Sequence, residues 1–106
     1  MGNTQIKKIT QLTAVGLSSA VDVAAYKHHT VQYIIANVNT SVDINVSGSL
    51  DGNDYFDLES SDVQKTGNGT FYLNYKNLPL AKLKFEVAAE AGGTTVTVDA
   101  TVMSTE

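Results

Sequence analysis

Asp51, Asn53, Asp54 and Asp57 gather four oxygen-bearing side chains in the stretch LDGNDYFD. Carboxylate and amide oxygens at this density are the ligands that calcium takes. Their spacing departs from the twelve-residue calcium loop, which sets glycine at its sixth position. Asp and Asn beside glycine also serve a plainer purpose, accepting hydrogen bonds from their own backbone in a turn. Asp51, Asn53, Asp54 and Tyr55 are therefore expected as a ligand-facing turn, with no metal and no cofactor.

Other reactive side chains fall into no catalytic spacing. His28 and His29 are adjacent, so on a strand they point to opposite faces and cannot grip one ion; a pH-sensitive surface pair is expected. Asp57 and Glu59 share a strand parity, the arrangement that paired-carboxylate glycoside hydrolysis would need, but acids flanking a turn are ordinarily solvated. Ser, His and Asp are all present, yet no G-x-S-x-G elbow occurs, and Ser47-Gly48-Ser49 falls inside a strand pattern. No enzymatic activity is expected, since catalysis needs a positioned nucleophile or an acid–base pair. The five tyrosines suit protein or sugar contacts or the rim of a core. Asn39, Asn45 and Asn68 each open an N-x-[ST] sequon, which signifies little without a secretory signal.

Composition narrows the partners. The chain has 106 residues, 42% of them hydrophobic and 17% charged, which describes one globular domain over 1–106. All seven basic residues are lysine, and the net charge is −4. Lacking the bidentate arginine fork and a basic patch, the chain is not expected to bind nucleic acid or an anionic membrane. There is no cysteine, so disulfides and thiolate metal sites are excluded. The opening MGNTQIKKIT is not followed by the apolar run of a secretory signal. No run of about 18 apolar residues occurs anywhere.

The elements that must carry these residues are strands. Residues 5–14 read as an extended segment carrying Ile6, Ile9 and Leu12, with 1–15 available as an N-terminal arm. Val21, Val23 and Ala25 alternate in a short strand. TVQYIIANV over 30–38 is apolar on both parities, which suits a central strand covered on both faces or one whose second apolar face, Ile34, Ala36 and Val38, packs on a partner subunit. Val42, Ile44, Val46 and Leu50 alternate with Asp43, Asn45, Ser47 and Ser49, giving one dry and one wet face. The strands 30–38 and 41–50 are expected to pair as a hairpin, followed by a type I′ turn at Asp51-Gly52. Phe71, Leu73 and Tyr75, then Leu83, Phe85, Val87 and Ala89, then Val96, Val98, Ala100 and Val102 mark three more strands. Roughly eight short strands with turns about every ten residues predict an all-β, antiparallel, jelly-roll-like β-sandwich.

The order IIANVNTSVDINVSGSLDGNDYFDL, the Gly67-Asn68-Gly69 loop, NLPLAKLKFEVAAE and a last strand after Gly92-Gly93 resembles the discoidin-type, galactose-binding-like jelly roll over residues 30–102. Tyr55-Phe56 stands where those domains carry Trp, and Lys84 where they carry Arg. Small, acidic, cysteine-free versions of this layout look like virion proteins of tailed bacteriophages. That resemblance implies a capsid decoration protein on the capsid surface, made in the host cytoplasm. Its implied partners are copies of itself, with a homotrimer favoured, and the major capsid protein. Ile34, Ala36, Val38, Ile6, Ile9 and Leu12 are the expected interface. A galactose-binding-like carbohydrate module and a minor neck or tail component are the alternatives.

Overall fold

The period-2 alternation of Val, Ile and Thr with polar residues is realised as strands throughout the computed structural model, which describes residues 3–106. Ten strands form: β1 Thr4–Leu12, β2 Gly16–Leu17, β3 Val21–Asp22, β4 His28–Ala36, β5 Ser41–Ser49, β6 Tyr55–Asp57, β7 Val63–Lys65, β8 Gly69–Tyr75, β9 Lys82–Ala91 and β10 Thr97–Thr105. All pairings are antiparallel. One sheet has the order β1-β10-β4-β8; the other runs β2-β9-β5-β6, with β3 also on β9 and β7 also on β5. Among the described residues there is no helix, hence none long and apolar enough to cross a membrane.

The two sheets close over a single apolar layer, the antiparallel β-sandwich that the alternation predicts. Val31, Tyr33 and Ile35 of β4 and Val98, Ala100 and Val102 of β10 meet Val42, Ile44 and Val46 of β5 and Leu83, Phe85 and Val87 of β9. Tyr33 bridges the sheets at the centre, its ring 5.6 Å from Phe71 and 5.4 Å from Phe85. Tilted aromatic pairs at this separation add to the area they bury. The first and last described residues meet at one corner, where the Asn3 amide donates to Glu106 Oε1 at 2.9 Å and the Glu106 amide to the Asn3 carbonyl at 3.2 Å.

Four expectations are corrected. β4 and β5 do not form a hairpin: both edges of β4 are occupied by β10 and β8, and residues 37–40, with Asn37 at φ 60°, carry the chain across to the other sheet. The N-terminal segment is not a free arm, since β1 pairs with β10 from Thr4↔Thr105 to Ile9↔Ala100. Ala89 is exposed, because a bulge opposite Asp43/Ile44 shifts β9 by one residue and ends its inward parity there. Leu50 lies outside β5 and is 68% exposed. The inward position before it is Gly48, where a Cβ would come within 2.8 Å of Leu80 Cδ1 and 3.2 Å of Leu58 Cδ2. Only a residue without a side chain lets those two leucines cover the strand.

Candidate functional site

The acidic turn satisfies itself. β5 and β6 are joined by the five residues 50–54, in which Gly52 has φ 86° and Asp51 does not have a positive φ, so the type I′ turn is not formed. Asp51 Oδ1 accepts the backbone N–H of Asn53 at 2.8 Å, that of Asp54 at 2.9 Å and the Ser49 hydroxyl at 3.0 Å. Ser49 Oγ in turn accepts the Gly52 N–H at 2.8 Å. Donation from the Asp54 and Asn53 amides, and then from Ser49, lowers the Asp51 carboxyl to about 2. Tyr55 is half-buried, with Lys84 Nζ 4.3 Å from its ring centre. Among the described residues no three His, Cys, Asp or Glu side chains group to hold a metal.

The histidine pair divides between the faces of β4, but it is not a surface pair. His29 is fully buried, with Nδ1 2.9 Å from Ser104 Oγ and Nε2 3.0 Å from the Leu78 carbonyl oxygen. That carbonyl can only accept, so Nε2 carries the proton and Nδ1 accepts from Ser104. Burial lowers the His29 pKa, the Leu78 hydrogen bond opposes the shift, and His28 adds to it. His28 Nδ1 accepts the Asn77 amide at 3.1 Å. Both rings thus tie the 77–80 segment to β4, a role that adjacency in sequence does not reveal. Ser104 and His29 make a Ser–His contact, but both are sealed from solvent and the third partner is a carbonyl, not a carboxylate.

Of the acids Asp57 and Glu59, only Asp57 is tied to the fold through its carboxylate, and the Glu59 side chain is exposed. Asp57 accepts from Asn45 Nδ2 at 2.7 Å, while the Glu59 backbone carbonyl accepts the Tyr75 hydroxyl at 3.1 Å. Asn45, expected on a wet face, is buried beside them, and its carbonyl oxygen accepts the Ser61 hydroxyl at 2.7 Å. An open groove of about 440 Å³ lies between Phe56–Glu59 and Asn74–Leu78. Phe56 and Tyr75 give it aromatic surface, and Asn74 and Asn77 give it amides.

The broadest surface feature is the outer face of the β1-β10-β4-β8 sheet. Strand register lays Ile6, Met103, Thr30 and Asn74 in one row across it and Lys8, Thr101, Gln32 and Tyr72 in the next. Asp99, Ile34 and Thr70 make a third. Only Lys8 and Asp99 in these rows are charged, and Asp99 is engaged by Gln11 Nε2 at 3.0 Å. Ile6, Ile34, Met103 and Tyr72 all stand exposed, Tyr72 at 71%. The opposite sheet instead turns Lys82, Lys84 and Glu86 outward beside Ser49, Ser47 and Asn45.

Of the expected interface residues, Ile6 and Ile34 share this face and half-buried Ala36 borders it. Ile9 belongs to the core, and Leu12 and Val38 pack against it. Burial takes Ile9 out of an accessible surface, while Leu12 and Val38 are half-buried. Tyr72 and Met103 were not anticipated as part of the face. The parity that puts Val102 and Leu73 inside is the signal that could have found them.

Solved structures share this architecture. The SPBc2 prophage-derived protein YomS matches with a TM-score of 0.70 at 15% identity, over 100% of this chain and 96% of that one. A chain of the Bacillus endospore appendages, a family of disulfide-linked pili, matches at 0.54 and 8% identity, over 98% and 88%. A CBM4 structure matches at 0.52 and 16% identity over 78% of this chain, which spans 56% of that one. At these identities the likeness is one of fold. No family model and no curated protein matches the sequence.

Proposed function

We propose that this chain is a structural protein of a tailed-bacteriophage particle, a capsid decoration protein that sits on the outer capsid surface as a homo-oligomer and binds the major capsid protein. The observation that carries the reading is the likeness of fold to a prophage-derived protein, which spans 100% of this chain and 96% of that one. A sheet face with few charges that exposes Ile6, Met103, Ile34 and Tyr72 supports it, because exposed large apolar side chains gathered on one face suit protein contact. The reading is tested by mixing purified protein with capsids that lack it and sedimenting them. Co-sedimentation that Ile34→Glu abolishes is the expected result; a protein left in the supernatant at all concentrations overturns it.

A second reading, a carbohydrate-binding module, draws on the likeness to the CBM4 structure and on the groove beside Phe56 and Tyr75. Aromatic surface flanked by amides suits the faces and hydroxyls of a sugar ring. Binding on a glycan array that Phe56→Ala removes favours it, and silence across the array counts against it.

A further inference from the structure

A β-sandwich must protect its edges, since an open strand offers unpaired N–H and C=O groups to any other chain. The second sheet ends in strands of two and three residues. In the first sheet, β1 is defended twice. Lys7 shares the inward parity of Ile9 yet is exposed, and a bulge interrupts the pairing between Ile9 and Leu12. The other end, β8, has neither device: GTFYLNY runs for seven residues with no charge, no proline and no bulge, and it pairs with β4 alone. Its inward side chains Phe71, Leu73 and Tyr75 are only half-buried, whereas their neighbours Val31 and Tyr33 on β4 are buried. Lys65 of the other sheet sits 4.1 Å from the Phe71 ring centre but leaves the backbone edge of β8 free.

We propose that β8 pairs with β8 of a second copy, antiparallel about a two-fold axis at Tyr72, so that two four-stranded sheets become one continuous sheet. This rests on the reading of the chain as a homo-oligomer and names the contact. Two features select a copy of this chain over another occupant. A two-fold axis brings an edge up against itself, so an edge bearing charges of one sign, like Lys7 and Lys8 on β1, repels itself, whereas β8 is an uncharged long edge. Centring on Tyr72 also places Phe71 opposite Leu73 of the second copy, and Thr70 opposite its Asn74. Apolar then faces apolar where the core is thin, and polar faces polar on the outside. A two-fold contact yields an even number of copies, against the trimer that the sequence resemblance implies.

The absence of native cysteine gives a direct test. In the proposed register Tyr72 faces itself with Cβ atoms about 5 Å apart, within reach of a disulfide after small adjustment. Under mild oxidation Tyr72→Cys is expected to give a covalent dimer, while Thr70→Cys, whose opposite residue is Asn74, stays largely monomeric. Light scattering of the unmodified protein at high concentration is expected to report about twice 11.3 kDa. Tyr72→Lys, at an exposed position, should restore the single-chain mass with unchanged circular dichroism. A single-chain or triple mass without cross-linking at 72 overturns the proposal. Capsid binding by such a non-pairing protein leaves the virion reading standing, and a pairing protein that ignores capsids overturns that reading alone.

Discussion

His29 is held neutral in the interior by a hydroxyl on one side and a carbonyl on the other, and this gives the fold a pH dependence of definite sign. Its pKa in the folded chain lies below the ordinary 6.5, so the unfolded chain binds the proton more readily. The stability due to neutral His29 is complete above 6.5 and is lost as pH falls toward the lower folded value. Urea unfolding midpoints should therefore drop on acidification below 6.5. In His29→Phe this decline should flatten, while removal of two hydrogen bonds lowers stability at neutral pH by about 1–3 kcal/mol. Asp51 acts in a separate window: with its carboxyl at about 2 against an ordinary 3.8, its contribution is full above 3.8 and fades as pH falls through 2. Asp51→Asn should unfold earlier than the parent at pH 5 and converge with it near pH 2, as acid titration followed by circular dichroism can show. The sequence placed these residues on a strand start and in a turn. It could not show that residues 77–80 fold over His29, because that contact joins segments 49 residues apart.

At the scale of elements, the partner strand of β5 is broken, and a side chain mends it. β6 pairs with Ser47–Ser49 and β7 with Val42–Ile44, which leaves Asn45 and Val46 between them. Ser61 fills the gap: its Oγ accepts the Val46 amide at 3.1 Å and lies 2.9 Å from the Val46 carbonyl and 2.7 Å from Asn45 Oδ1. Ser61→Ala strips partners from buried polar groups and should lower stability by about 1–3 kcal/mol in denaturant unfolding. Gly48→Ala should lower it by about 1–3 kcal/mol through overpacking against Leu58 and Leu80, seen as a reduced melting temperature. The long strands were legible wherever one face is dry: the inward sets of β8 and β10, and Leu83, Phe85 and Val87 of β9, follow the alternation. The β4–β5 hairpin was misread because a four-residue connection looks the same whether it turns within a sheet or crosses between two. β2 and β7 are too short to carry a period at all, whereas the alternation of Val21, Val23 and Ala25 found β3, which ends at Asp22 and leaves Ala25 exposed in a turn.

As a whole molecule, 44 × 27 × 22 Å in extent, the protein presents one charged face and one neutral face on opposite sides of a single core. This asymmetry was partly legible, since the apolar parity of Ile34 and Ala36 announced a second apolar surface. Its true membership depends on register with β1, β8 and β10, which no local pattern encodes. Because the chain has no cysteine, any assembly it forms is held without disulfides, in contrast to the disulfide-linked pili whose fold it shares. Its oligomer mass should therefore be the same with and without reductant, measurable by light scattering. The meeting of Asn3 and Glu106 has a consequence for rearrangement of the gene. A short linker can splice these two residues, and new ends can be cut between Thr66 and Gly67 in an exposed loop, without threading any segment through the sandwich. Such a permutant should melt within a few degrees of the parent, because Asn3 and Glu106 already lie within hydrogen-bond distance at one corner.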